Sequence, residues 1–315
     1  MSFEQVCEGI DRLITIDVSG RGVIYKLYEA ARSQSGKPLT LSAADSIREK
    51  LKEGDTAIIT TGFRVLPDMM QETDGPLGAA SITKALIHLK AKPVVVIERE
   101  SFGIMRAALT SLGLREARNI DELGENSYIL MSFPYEISEA EEEAEKLVAE
   151  YNPSIFLSIE KAGMASNGRY HTMRGYDITD FHIKVEALLE RAKKNGALTV
   201  AIGDGGNEVG MGNIREAVER DVPNGEKIAA VSRVDRLICA AVSNWGGYGL
   251  SAALSMIGGV KEALHTPEQE ELMLRNILEA GAVDGVTGKR EESVDNIPMK
   301  VHSSIIRILE GLIKK

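Results

Sequence analysis

The sequence predicts a three-layer α/β fold, in which a mainly parallel sheet carries helices on both faces and follows a helical N-terminal extension. Short segments rich in Val and Ile alternate with longer segments whose apolar residues recur at helical spacing. The strand segments are apolar throughout, which is typical of strands buried on both faces. We therefore expect a single domain over residues 1–315, with a helical extension at 1–53, an α/β core at 54–260 and a C-terminal helical part at 261–315.

The extension is predicted to contain three helices. Apolar residues lie at helical spacing over 3–16 and 22–31, and the Gly-Lys-Pro sequence at 36–38 ends the second helix. Ser42 is a suitable N-cap for a third helix that runs to about residue 52.

Strands and helices then alternate through the core. Strands are predicted at 56–61, 93–97, 127–131, 154–159, 198–202 and 236–242. Helices are predicted at 77–89, 102–112, 138–151, 180–195 and 249–256. Beyond residue 267, helices lie on both sides of a glycine-rich loop at 281–288.

Composition excludes several classes of function. The net charge of -10 argues against nucleic-acid binding, and 5% aromatic residues are too few for a base-stacking platform. No apolar run is long enough to span a bilayer, and acids stand where a signal peptide would carry lysines. Cys7 and Cys239 lie far apart and are expected to be reduced thiols. We expect a cytoplasmic protein that acts on a small molecule, with a homo-oligomer left open.

The most informative segment is the glycine-rich turn at 200–213, which follows a buried strand. Five glycines within ten positions permit positive φ angles and close approach to a ligand. Asp204, Asn207 and Glu208 lie among them, where the acids would repel a pyrophosphate and suit a metal, an ammonium group or proton transfer. The turn is no phosphate loop, so no nucleotide is expected.

Three further polar segments also follow predicted strands, and parallel strand ends meet at one edge of a sheet. Asp74 or Thr73 can cap the helix that begins near Pro76, which leaves Glu72 free to face a ligand. The exposed amides at the helix start near Gly75 would favour a carboxylate or phosphate. The alternative for Asp74 is a purely structural cap.

The other two segments carry cations and an aromatic ring. Glu160 and Lys161 end a strand, and Arg169 and Arg174 offer forked donors for a carboxylate, unless they only form surface salt bridges. Asn244 and Trp245 lie in a predicted glycine-flanked loop, where Trp245 forms either a pocket wall or part of the core. The histidines and cysteines lack the spacing of a zinc site, and no serine-hydrolase motif is present.

Six segments, in order, resemble the D-glutamate cyclase family. They are TGF at 61–63, ETDGPLGA at 72–79, IEKAG at 159–163, GRYHTMRGYDI at 168–178, IGDGGNEVGMG at 202–212 and SNWGGYGL at 243–250. The resemblance implies a lyase that converts D-glutamate to 5-oxo-D-proline with loss of water, in a form similar to stand-alone microbial members.

The residues present suit that reaction. Asp204 or Glu208 could serve as general base, and Glu72 or Glu160 as the acid that protonates the departing oxygen. A divalent cation, Mg²⁺ or Mn²⁺, on Glu72, Asp74 and Asp204 is an alternative. The expected substrate-binding residues are Arg169, Arg174, Asp74, Gly75, Asn207, Asn244, Trp245 and Lys161.

Two other functions stay open at this point. A non-catalytic protein that binds an amino acid or carboxylate would keep the pocket, although it would gain little from so many acids beside an anion. A related lyase acting on another amino acid would keep the acids as well.

Overall fold

A computed structural model describes residues 2–314 and contains a seven-stranded, fully parallel sheet. Its strands are β1 (Thr56–Gly62), β4 (Lys92–Val96), β5 (Arg115–Ala117), β6 (Ser127–Met131), β7 (Ile155–Lys161), β8 (Leu198–Gly203) and β9 (Arg236–Cys239). Their spatial order is β5-β6-β4-β1-β7-β8-β9. The predicted three-layer α/β class is confirmed.

This order places the topological switch point between β1 and β7. The chain builds outward from β1 through β4 to β6 and β5, and then returns to add β7, β8 and β9 on the other side. Ligands of open α/β sheets bind outside the carboxyl ends of the strands at such a point. The fold alone therefore directs attention to the residues that follow β1 and β7.

Twelve α-helices surround the sheet within residues 2–314. They are α1 (Phe3–Ile14), α2 (Ile24–Ser35), α3 (Leu39–Lys50), α4 (Pro76–His88), α5 (Phe102–Ser111), α6 (Ile137–Tyr151), α7 (Val185–Lys194), α8 (Arg215–Asp221), α9 (Gly225–Ile228), α10 (Ser243–Gly258), α11 (Pro267–Glu279) and α12 (Met299–Ile313). Helices α3, α4 and α10 pack on one face, and α6 and α7 pack together on the other. None of these helices is long and apolar enough to cross a membrane.

Two helix starts differ from prediction because long-range contacts outweigh local signals. Helix α3 begins at Leu39 and not after Ser42, since the buried carboxylate of Asp11 in α1 accepts hydrogen bonds from the amides of Leu39 and Thr40. Helix α7 begins at Val185, five residues after the predicted start, and a short 3-10 turn over Thr179–Phe181 precedes it.

Helix α10 begins at Ser243, six residues before the predicted start. Its glycines are poor helix formers, but they let the helix lie against its neighbours. A β-carbon on Gly247 would lie 2.9 Å from the Cα of Gly78 in α4, and one on Gly246 would lie 2.5 Å from Ile202. The segment predicted as a glycine-flanked loop is therefore the close crossing of α10 over α4 and the sheet.

Two small hairpins complete the fold near the carboxyl edge of the sheet. The first pairs β2 (Arg64–Val65) with β3 (Met70–Gln71), and the second pairs β10 (Ser293–Val294) with β11 (Ile297–Pro298). Asp295 and Asn296 form the tip of the second hairpin, both with positive φ, as a two-residue turn of this kind requires. Both cysteines are buried, and neither forms a disulfide, which agrees with the expected free thiols.

Candidate active site

A cavity of about 430 Å³ lies at the carboxyl edge of the sheet, beside the switch point. Four loops contribute to its wall, from the ends of β1, β7 and β8 and from the segment before β10. Its charged and amide lining residues are Arg21, Arg64, Glu72, Asp74, Glu160, Arg174, Asp204, Asn207 and Asp295. Five carboxylates therefore face one small volume.

Asp204 follows β8 directly and occupies the centre of the acidic cluster. Its carboxylate forms an ion pair with Arg21, which reaches the site from the turn before α2. Carboxylate oxygens of Asp74, Asp204 and Asp295 lie within 4.8 Å of one another. Carboxylate oxygens of Glu160, Asp204 and Glu208 form a second group within the same distance. Asp204 is thus the acid common to both groups.

Glu208 is buried beneath the loop and does not line the cavity. Its carboxylate accepts hydrogen bonds from the amides of Gly205 (2.7 Å), Gly206 (2.7 Å) and Asp204 (3.2 Å). These bonds hold the turn that presents Asp204, so the position of Glu208 suits a structural role better than contact with a substrate. Asn207 does face the cavity, and its amide group donates to the carbonyl of His171.

Glu160 lines the cavity from an irregularity at the end of β7. The register between β1 and β7 shifts here, since Thr61 pairs with Ile159 whereas Gly62 pairs with Lys161. Glu160 is the unpaired extra residue and has a φ of 40°, which a non-glycine residue rarely adopts. Its carboxylate accepts a hydrogen bond from the hydroxyl of Ser243.

Asp74 and Asn244 cap each other's helices. The carboxylate of Asp74 accepts hydrogen bonds from the amides of Ser243 (2.9 Å) and Asn244 (2.7 Å), at the start of α10. The side-chain oxygen of Asn244 accepts from the amides of Gly75 (2.9 Å) and Gly78 (2.7 Å), at the start of α4. The predicted cap of α4 by Asp74 or Thr73 is therefore wrong: Gly75 is the N-cap of α4, and Asp74, which also accepts a hydrogen bond from the Gly75 amide at 3.0 Å, caps α10. The amides expected to bind a substrate anion at Gly75 are already bonded to Asn244.

Two residues of the cluster, Arg21 and Asp295, are missing from the sequence prediction. Asp295 lies at the hairpin tip with 8% of its surface exposed, and its carboxyl group faces the cavity within hydrogen-bonding distance of Asp204. Glu72 is half-buried beside Asp295, and the carboxylates of both residues pack against Gly285. A β-carbon on Gly285 would clash with an oxygen of Glu72 and lie 3.4 Å from an oxygen of Asp295. The alternating SVDNIP sequence signals a hairpin, but nothing in it shows that the tip reaches this site.

Crowding of the acids shifts their proton affinities. Burial and the charge of Asp204 raise the pKa of Asp295 from an ordinary 3.8 to about 7, and that of Glu208 from 4.5 to about 7. Burial and neighbouring carboxylates also raise the pKa values of Glu72, Asp74 and Glu160 well above the ordinary range. The site thus holds protonated and ionised carboxyl groups side by side near neutral pH.

These shifts predict that the acidic cluster destabilises the protein as the pH rises through neutrality. A carboxyl with a folded pKa above its unfolded value contributes stability at low pH, and that contribution is lost as the pH rises through the folded value. For one group with a folded pKa near 7, the loss between about pH 6 and 8 is about 1 kcal/mol. Buried His182 and His302, whose pKa values are lowered, act in the opposite direction, because their folded forms bind protons less readily than their unfolded forms.

Comparison with Glu208→Gln isolates the carboxyl contribution. Chemical denaturation at several pH values should show the wild type losing about 1 kcal/mol of unfolding free energy relative to this variant between about pH 6 and 8. The histidines are the same in both proteins, so their contribution cancels. A difference between the two proteins that stays constant or changes in the other direction over this window would contradict the prediction.

Several predicted substrate-binding residues do not face the cavity. Trp245 is fully buried, and its Nε1 donates to Nδ1 of His302 at 2.8 Å, so it belongs to the core. Lys161 is fully buried against Glu98 on the other side of β7. Arg169 pairs with Asp177 outside the cavity, at 3.5 Å. Asn244 and Gly75 lie behind the wall, in the capping contacts already described.

A family model described as "D-glutamate cyclase-like, C-terminal" matches residues 10–310. The chain belongs to this family. D-glutamate cyclase, mitochondrial, from Homo sapiens is 26% identical over 343 aligned residues, which cover 98% of this chain and 52% of the human protein. The D-glutamate cyclase-like chain thus spans about half the length of the human relative.

Similarity to solved structures is weak. A short-chain dehydrogenase/reductase from Serratia marcescens BCRC 10948 has a TM-score of 0.30 and 12% identity, over 55% of this chain and 70% of that one. A variant of actinorhodin polyketide ketoreductase with NADPH also has a TM-score of 0.30 and 12% identity, over 82% and 90% of the two chains. At this level neither match informs the function of the D-glutamate cyclase-like chain.

Proposed function

We propose that this protein converts D-glutamate to 5-oxo-D-proline and water. The observation that carries the proposal is the cavity itself, in which carboxyl groups of different proton affinity surround a volume suited to a small amino acid. Family membership and the name of the human relative support D-glutamate as the substrate. In this reaction the α-nitrogen attacks the γ-carboxyl carbon, the C–N bond closes a five-membered ring, and one carboxyl oxygen leaves as water.

Proton transfer is the part of the reaction that the acids would perform. The α-ammonium group must lose a proton before its nitrogen can attack, and Asp204 or Asp295, which both line the cavity, would accept it. The departing oxygen needs protons, and the raised pKa of Glu160 keeps a proton available there, as does that of Glu72. Because attack is intramolecular, a large effective molarity replaces activation by ATP.

Arg174 is the proposed anchor for a substrate carboxylate. It lies at the exposed rim of the cavity, and no carboxylate of residues 2–314 forms an ion pair with it. Arg169, five residues earlier, is also exposed but pairs with Asp177 away from the cavity. A guanidinium group binds a carboxylate with two parallel hydrogen bonds, which fixes its orientation.

We therefore expect Arg174→Gln to raise the KM for D-glutamate roughly 10- to 100-fold, since a charge-assisted hydrogen bond contributes about 1.5–3 kcal/mol. Arg169→Gln is the matched control and should leave KM close to the wild-type value. Steady-state kinetics of the two variants makes the comparison. Equal effects of the two substitutions would remove Arg174 from substrate binding.

A divalent cation fits the donor set at the centre of the cluster. Asp74, Asp204 and Asp295 would hold it through oxygen atoms, which Mg²⁺ and Mn²⁺ prefer, and one carboxylate oxygen from each lies within 4.8 Å of the other two. Glu72, predicted as a ligand from the sequence, lies beside Asp295 rather than within this triad. When bound, the ion would polarise the γ-carboxyl group.

The deciding experiment incubates the purified protein with D-glutamate or L-glutamate and measures 5-oxoproline by chiral chromatography. Each incubation is run after chelation and again with Mg²⁺ or Mn²⁺ added. We expect 5-oxo-D-proline from D-glutamate, and loss of turnover in Asp204→Asn. No product from either isomer under any condition would sink the proposal, and binding of glutamate without turnover would favour a binding protein.

A further inference from the structure

Glu160 holds an unfavourable backbone conformation at the edge of the active site. Its φ of 40° lies in the left-handed region, where a β-carbon is disfavoured, and it is the extra residue of the bulge between β1 and β7. A conformation of this kind persists only when surrounding contacts fix it. The residues on either side of Glu160 should therefore show what fixes it.

The next residue, Lys161, is fully buried on the opposite side of the strand from the cavity. Its Nζ donates to Glu98, which follows β4 and is also fully buried. The same Glu98 oxygen lies 3.1 Å from Nδ1 of His182 and accepts a hydrogen bond from the amide of Ile183 at 3.2 Å. Glu98 therefore connects the ends of β4 and β7 with the segment before α7.

The electrostatics of this group favour an ion pair between Glu98 and Lys161, although burial lowers the pKa of Lys161 as well. Burial disfavours the ionised form of Glu98, but Lys161 and His182 outweigh it and lower the pKa of that carboxyl. Burial lowers the pKa of His182 to about 4, so the imidazole is neutral near pH 7. Breaking a buried pair by removing one partner costs far more than removing both, because the partner left behind is an unpaired buried charge.

The backbone of Lys161 also fixes the loop that carries the other acids. Its carbonyl accepts a hydrogen bond from the amide of Val209 at 2.8 Å, and the amide of Gly163 donates to the carbonyl of Asn207 at 2.8 Å. The glycine-rich turn is thereby paired to the end of β7. The backbone of residues 161–163 thus joins the bulge at Glu160 to the turn that holds Asp204.

We propose that Lys161 and Glu98 are positioning residues whose buried ion pair holds Glu160 in its left-handed conformation and so directs its carboxyl group into the cavity. Neither side chain touches the cavity; they act through the backbone of β7. The catalytic part of this inference rests on the proposed function, and the conformational part does not.

The kinetic test uses Lys161→Met and the double variant Glu98→Gln/Lys161→Met. The double variant removes both charges, so it should fold even if the single variant does not. We expect kcat to fall roughly 10²-fold in the double variant, the order expected for a small misplacement of a reacting group, with the KM for D-glutamate unchanged. A wild-type kcat in a folded double variant would overturn the proposal.

A conformational test needs no activity. Glu160→Gly and Glu160→Ala both remove the carboxyl group, but only alanine keeps a β-carbon in the left-handed region. We expect the glycine variant to melt roughly 2 °C higher than the alanine variant in the wild-type background. In the Glu98→Gln/Lys161→Met background the glycine and alanine variants should melt at the same temperature, because the backbone at residue 160 can leave the left-handed region.

The two tests separate the possible failures. If the melting temperatures of Glu160→Gly and Glu160→Ala differ by the same amount in both backgrounds, the positioning role is overturned, whatever the activity. A wild-type protein that forms no 5-oxoproline would refute the proposed function, while the melting temperatures would still decide whether the ion pair holds the bulge.

Discussion

Replacing Asp295 by asparagine is expected to lower the rate of 5-oxoproline formation roughly 10²- to 10⁴-fold, the usual contribution of a general acid or base. The same change should make the protein more stable at alkaline pH. Asp295 adds its negative charge to a cluster that already holds Glu72, Asp74 and Asp204. Loss of that charge relieves repulsion, and we expect a gain of about 1–3 kcal/mol in unfolding free energy near pH 8.

The hairpin makes this a clean substitution. Residue 295 has a φ of 55°, which asparagine tolerates as well as aspartate does. Asn296→Asp is the control, since it keeps the turn and places a charge on the exposed side of the same tip. Kinetics and urea denaturation at pH 8 measure both variants. An inactive Asp295→Asn protein that is also less stable would mean that the residue is structural.

Truncation of Trp245 is expected to have the largest effect on stability. The indole is fully buried at the start of α10 and donates to His302. We expect Trp245→Ala to cost about 3–5 kcal/mol of unfolding free energy, from the cavity it leaves and from the acceptor on His302 that loses its partner. Phe3→Ala is the control, because Phe3 is 53% exposed and its loss should change little.

Trp245→Phe separates a core role from the role of pocket wall that the sequence suggested. It keeps most of the ring volume and removes only the Nε1 donor, so the protein should fold with moderately reduced stability. Its KM for D-glutamate should equal that of the wild type, because Trp245 does not line the cavity. A large rise in KM at unchanged stability would instead place the ring against the substrate.

Features carried by a single segment were predictable from the sequence. Apolar runs indicated six of the seven strands of the sheet, because strands buried on both faces leave an unbroken apolar signal. The missing strand, β5, is a three-residue edge strand with two exposed residues. Acids after β7 and β8 were found for a similar reason: strand ends at a switch point face a common cleft.

Features that depend on two distant segments were not predictable. Arg21 and Asp295 follow no strand of the sheet and meet Asp204 only through tertiary packing. Lys161 was assigned to the cavity because it follows Glu160, but neighbouring side chains of a strand point to opposite faces, and Lys161 is buried against Glu98. The start of α10 was misplaced because local glycine propensity opposes a helix, whereas packing against Gly78 requires glycine there.

The reciprocal caps of α4 and α10 join the two helix starts into one unit of local unfolding. The amides of Gly75 and Gly78 bond to Asn244, while the amides of Ser243 and Asn244 bond to Asp74. Neither helix can fray at its first turn without releasing a cap from the other, although about 170 residues separate them in the chain. In native-state hydrogen exchange, these four amides should therefore open together with a single free energy. The floor of the cavity would then be no more mobile than the core beneath it.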